Sequence, residues 1–152
     1  REIIKKLPMD NIAVNDILDV MAVLIGFRHN QEEFVDFAKV QLNIQQNKRT
    51  EALEKLETLF DTNEIYIADM CRYQYAWLTF LQGGTVNTKI QLSKIVNETI
   101  FRELAHIFQA EILDYIDKDI SAAIDHYLEF LELYPQSIYY DDVRLRLREL
   151  AS

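Results

Sequence analysis

Three groups able to move a proton or hold a cation lie within a few turns of one stretch: His106, Glu111 and Asp114. Acid-base or metal chemistry needs such groups to converge on one point. Glu111 and Asp114 stand about one helical turn apart and can share a face, but helical spacing spreads the set along the axis instead of closing it round a substrate. The other histidines, His29 and His126, sit in different segments, so no metal-ligand set forms. Cys71 is alone, which excludes an internal disulfide, and beside Met70 in an apolar run it reads as a small core residue. The pair Gly83-Gly84 lacks the further glycines and the lysine of a phosphate-cradling loop. The chemistry expected is therefore noncatalytic, with no cofactor and no metal.

Charge narrows the partners. With 25 acidic against 16 basic residues the net charge is -9, which repels a phosphate backbone and argues against nucleic acid. The one dense basic cluster, Arg144, Arg146 and Arg148, is interleaved with Asp141, Asp142 and Glu149 and reads as a solvated terminal helix. No uninterrupted apolar run approaches the length that spans a bilayer, so no direct membrane insertion is expected. The chain opens at Arg1 without a methionine or a basic-then-apolar leader, as a processed product or a segment of a longer protein does.

The elements that position these residues are helices. Hydrophobic residues make up 49%, while there are 3 Gly and 2 Pro, so turn chemistry is scarce and much apolar surface has to be covered. Asn15 can cap a first helix carrying Leu18, Met21, Leu24 and Ile25, and Asn30 a second, with Glu33 placed to return the cap and Phe34, Phe37, Leu42 and Ile44 as its apolar side. A third helix buries Ala52, Leu53, Leu56 and Leu59. The stretch 65–81 is apolar on nearly every face and needs neighbours on both sides. Gly83 and Gly84 end it, Asn87 starts a return helix with Ile90, Leu92, Ile95 and Val96, and further helices follow over about 101–116, 120–134 and 139–150.

Ala52, Thr88 and Ala123 occupy equivalent places early in the second helices of three successive hairpins, at offsets of 36 and 35 residues. A larger residue stands four positions on in each, Leu56, Leu92 or Tyr127, and Ala76 and Ala110 play the same small-residue part in the first helices of the last two hairpins. This pattern resembles a tetratricopeptide repeat array, most strongly over 110–135. The ending Tyr134, Pro135, Gln136, Ser137, Ile138, Tyr139, followed by Asp142, Arg144 and 147–150, resembles the last repeat and closing helix of bacterial envelope-associated members of that family. Departures are Val40 and Thr88 at small-residue positions, a proline after the third hairpin alone, and an offset longer than the commonest repeat length.

The resemblance, which covers about 30–150, implies an all-α fold of about eight helices: antiparallel hairpins stacked as a short right-handed superhelical solenoid. It divides the chain into an N-terminal packing helix region at 1–29, about three hairpins over 30–135, and a capping helix at 136–152. It implies a scaffold that binds a protein or peptide segment along a concave face made by the first helices. On that face it puts Phe34, Phe37 and Gln41 from the first hairpin, Met70, Tyr73, Trp77 and Phe80 from the second, and Glu111, Asp114 and Tyr115 from the third. The acidic members predict a partner with basic and apolar side chains. It leans towards the periplasmic cell envelope, and a self-associating or larger envelope complex, or the terminal structural stack of a longer solenoid, is the competing expectation.

Overall fold

The computed structural model describes residues 27–152; the helix expected over Leu18, Met21, Leu24 and Ile25, with its cap at Asn15, lies outside them, as does nearly all of region 1–29. The described residues are helical without strands: α1 (Gln31–Gln45), α2 (Arg49–Thr58), α3 (Ile65–Leu81), α4 (Thr85–Ser93), α5 (Ile100–Glu111), a π-helical turn (Ile112–Ile116), α6 (Ile120–Leu133) and α7 (Tyr140–Ala151). Within the described residues the chain forms two compact units, 27–102 and 103–152. In the first, α1 packs on α2, α2 on α3 and α3 on α4; in the second, the π turn packs on α6 and α6 on α7.

Connections alternate between short and long. Three residues join α1 to α2, α3 to α4 and the π turn to α6; six residues join α2 to α3, α4 to α5 and α6 to α7. Each short turn contains one residue in the left-handed region, Asn47 (φ 59°), Gly83 (φ 84°) or Lys118 (φ 58°). In the first two turns the backbone closes in the same way. Asn47 N donates to Ile44 O (3.0 Å) and Lys48 N to Asn43 O (2.8 Å), while Gly83 N donates to Phe80 O (2.9 Å) and Gly84 N to Thr79 O (3.0 Å). These bonds satisfy carbonyls that the helix end would otherwise orphan. In the third turn the wider π geometry intervenes, with Asp117 N bonding Ile112 O and Asp119 N bonding Leu113 O, both at 2.9 Å. In all three, the residue after the left-handed one offers its carbonyl to the amide of the small residue four positions on: Lys48 to Ala52, Gly84 to Thr88 and Asp119 to Ala123.

Those small residues are fully buried, as are Val40, Ala76 and Ala110 on the first helices. Behind them Leu56, Leu92 and Tyr127 are buried too. Thr88 stands in an alanine position because its hydroxyl has acceptors there: Oγ1 lies 2.9 Å from Gly84 O and 3.3 Å from Ala76 O. A buried hydroxyl without such a partner would cost about 1–3 kcal/mol.

Several expectations change at the level of single residues. Asn30 caps α1 by accepting from Glu33 N (3.0 Å), but Glu33 does not return the bond; its Oε2 accepts from Thr62 Oγ1 (2.6 Å), and Asn30 N donates to Phe27 O. The apolar side of α1 centres on Phe37 and Val40, and Leu42 is exposed. The return helix starts at Thr85, ahead of Asn87, because Gly84 serves both as turn exit and as N-cap; Leu92 and Ile95 are buried, while Ile90 and Val96 face solvent.

Gly84 leaves no room for a side chain. A Cβ there would sit 2.9 Å from Thr79 Cγ2 and 3.3 Å from Thr79 O, and Thr79 is itself buried and hydrogen-bonded to Tyr75 O. Gly84→Ala should therefore lower stability by about 1–2 kcal/mol, whereas Lys118→Gly, which relieves a left-handed side chain, should raise it by up to about 1 kcal/mol. Urea unfolding of the two variants checks both signs; a neutral Gly84→Ala is the outcome that contradicts the turn assignment.

Candidate functional site

The surface shared by α1 and α3 is built from rows one helical turn apart. On α1 the residues Phe34, Ala38, Gln41 and Gln45 reach solvent wholly or partly, and on α3 Gln74, Trp77 and Leu81 do so. A pair of amides ties the rows together: Gln41 Nε2 donates to Gln74 Oε1 at 2.9 Å, and Gln74 Nε2 to Gln41 Oε1 at 3.4 Å. Each amide carries a second N–H and a second carbonyl lone pair beyond this exchange. Trp77 stacks on Phe80 with ring centroids 5.8 Å apart and planes at 27°.

Of the ten residues expected on the partner face, Phe34 is exposed and Gln41, Trp77 and Tyr115 are half-buried. The other six are buried. Phe37 packs on Phe27 (5.4 Å), Tyr73 on Phe101 (5.8 Å), and Met70 and Phe80 line the interior of the same unit. Gln74, which sequence reasoning passed over in favour of its aromatic neighbour Tyr73, takes the surface position. Polarity was the available signal, since in an apolar helix a lone amide marks the wet side.

In the other unit, Glu111 and Asp114 are 5% and 1% exposed and do not offer negative charge to a partner. Asp114 is the centre of a network. Arg146 grips it in bidentate fashion, Nε to Oδ2 at 2.7 Å and Nη2 to Oδ1 at 2.8 Å, and Tyr127 Oη donates to Oδ2 at 2.9 Å. Arg146 also donates to Glu149 Oε2 (3.0 Å) and lies over the Tyr115 ring at 4.8 Å from its centroid. Hydrogen bonding to Asp114 raises the Arg146 pKa further. Arg146 is therefore a buried-pair partner and not the solvated side chain that its charged surroundings suggest. A carboxylate so engaged is an anchor for α7, and is poorly placed to act as base or metal ligand.

His106 does not join this network. Its Nε2 faces His126 O at 3.0 Å, with Glu129 Oε2 at 3.6 Å. Among the described residues no group of three or more His, Cys, Asp or Glu is arranged to hold a metal ion. Buried Asp69 accepts from Asn97 Nδ2 (3.1 Å) and Thr99 Oγ1 (2.8 Å) and so pins the six-residue connection after α4.

Removing Arg146 should strand the buried Asp114 and lower stability by about 3 kcal/mol, against about 1 kcal/mol for Tyr127→Phe. Burial, aided by Glu111 and Asp114, pushes the Tyr127 pKa well above its ordinary 10.0. The unfolded chain then loses this proton above pH 10 while the folded chain keeps it, so the contribution is intact below pH 10 and fades as pH rises. Denaturant unfolding between pH 8 and pH 11 should show a shallower alkaline decline for Tyr127→Phe than for the parent.

Cys71 is fully buried, and burial, with a lesser effect of Glu33, pushes its thiol up to about 12. Labelling by a thiol-specific disulfide reagent at pH 8 should be negligible in native buffer and rapid once urea unfolds the chain; prompt labelling of native protein would contradict the burial.

No protein-family model matches the chain, and neither a curated protein nor a solved structure matches it significantly.

Proposed function

We propose that the chain is a noncatalytic interaction scaffold of tetratricopeptide-like hairpins, stacked in a short right-handed solenoid, which binds an extended protein segment along its first helices. The observation that carries this reading is the Gln41–Gln74 pair. It links α1 and α3, the first helices of consecutive hairpins, which is the side-by-side relation that stacked hairpins require. It also presents amide donors and acceptors suited to a peptide backbone, next to the apolar surfaces of Phe34 and Trp77. Because Glu111 and Asp114 are buried, a basic partner has less support than one whose backbone and apolar side chains make the contact.

A structural role in a longer stack is the second reading, and α7 favours it. Val143 is buried against Ile107, Ala110, Ala123, Tyr127 and Phe130, with Leu147 and Leu150 partly buried beside it, while Arg144, Arg148 and Glu149 turn outwards. A helix with one apolar and one charged side suits the closing position of a repeat array.

A photo-crosslinking residue at position 45 in the source cell identifies the segment that lies on this surface, and titration of that segment tests the site. Gln74→Ala and Gln41→Ala should each weaken it about tenfold, and Trp77→Ala by more, while the Gln variants keep the parent melting temperature. Crosslinking to nothing, or a captured segment indifferent to all three substitutions, defeats the reading.

A further inference from the structure

The second hairpin differs from its neighbours in charge. Between Met70 and Asn97 there is no Asp or Glu, although the chain has 25 of them, and Arg72, Lys89 and Lys94 leave this run positive inside a chain of net charge -9. Among the described helices α4 alone has no acidic side chain.

It differs equally in what it leaves uncovered. Val86 and Ile90, four residues apart, share one face of α4 and are 69% and 47% exposed. Exposed Lys94 continues the row, and Val96 follows in the connection at 65% exposed. At the offsets that relate the three hairpins, the equivalents of Val86 and Ile90 are Thr50 and Glu54 on α2, and Ser121 and Asp125 on α6. The same place is polar in both other hairpins, so forming a hairpin does not require an apolar row there.

We propose that this outer row of α4 is a second docking surface, which receives an acidic amphipathic helix of a partner protein. Val86, Ile90 and Val96 take the apolar stripe, and exposed Lys94 takes a flanking carboxylate. Charge complementarity selects this occupant: α4 carries lysine and no Asp or Glu, so the row favours acidic over basic flanking side chains. The row is distinct from the Gln41–Gln74 surface, so the two readings stand or fall separately.

Two designed helical peptides of about 18 residues serve as probes, both with a leucine stripe, one flanked by glutamates and the other by lysines. Titrated with the full chain by fluorescence anisotropy, the glutamate peptide should bind at least about tenfold more tightly than the lysine peptide, and added salt should shrink the difference. Ile90→Asp should weaken it about tenfold or more, and Lys94→Glu should erase the preference between peptides, both without a change in melting temperature; Gln74→Ala should have no effect. Equal binding of the two peptides, failure of both to bind, or indifference to Ile90→Asp overturns the proposal. So does a concentration-dependent doubling of mass in light scattering that Ile90→Asp abolishes, which would give the row to a second copy, or binding to anionic vesicles without peptide binding, which would give it to a membrane.

Discussion

Two helices joined by three residues have to lie close together, and they can do so only where the side chains between them are small. Ala76 with Thr88, whose hydroxyl lies 3.3 Å from Ala76 O, and Ala110 with Ala123 in one core cluster meet this demand; these four, with Ala52 and the larger Val40, are sealed from solvent. Much else is downstream of that approach. A three-residue link has to reverse the chain at once, which brings in a left-handed residue at Asn47, Gly83 and Lys118. The residue after it has to release one helix and begin the next, and its carbonyl goes to the small residue of the return helix. Where a hydroxyl enters such a crossing, as at Thr88, the backbone carbonyls around it absorb the polarity.

Periodicity made this framework legible. Ala52, Thr88 and Ala123 stood out by their offsets of 36 and 35 residues alone, and the glycines at Gly83-Gly84 marked their turn without help from tertiary structure. The polar interior left no such trace. Asp114 and Arg146 are 32 residues apart, and Asp69 is 28 and 30 residues from Asn97 and Thr99. Pairs so distant carry no local signature, and an arginine alternating with leucines among aspartates reads as solvated until its carboxylate is located. The candidate surface was half visible for a related reason. Aromatic size drew attention to Tyr73 and Phe80, but size is also what a core selects, and the wet side of α3 belongs to Gln74 and Trp77.

Net charge conceals a division of labour. Acidic residues in the unit 103–152 include two that are buried, Glu111 and Asp114, and they have little say in how the surface looks from outside; Asp114 fastens α7 through Arg146. The stretch from Met70 to Asn97 is meanwhile positive. A total of -9 therefore describes how the chain behaves in bulk solution, such as its solubility, better than it describes any one face that a partner meets.

The π-helical turn bears on how the three helix pairs joined by three-residue links should be aligned with one another. Ala123 follows Ala110 at one residue more than separates Ala52 from Val40 or Thr88 from Ala76, and the surplus residue is taken up in the helix at Ile112–Ile116, since the link to the return helix keeps its three residues. An internal alignment that assigns the gap to a loop, as alignment habit would, shifts the end of the third first-helix by one residue and pairs Asp114 and Tyr115 with the wrong members of α1 and α3. The gap belongs within the helix, and counting from the left-handed residue of each turn restores the register on both sides of it.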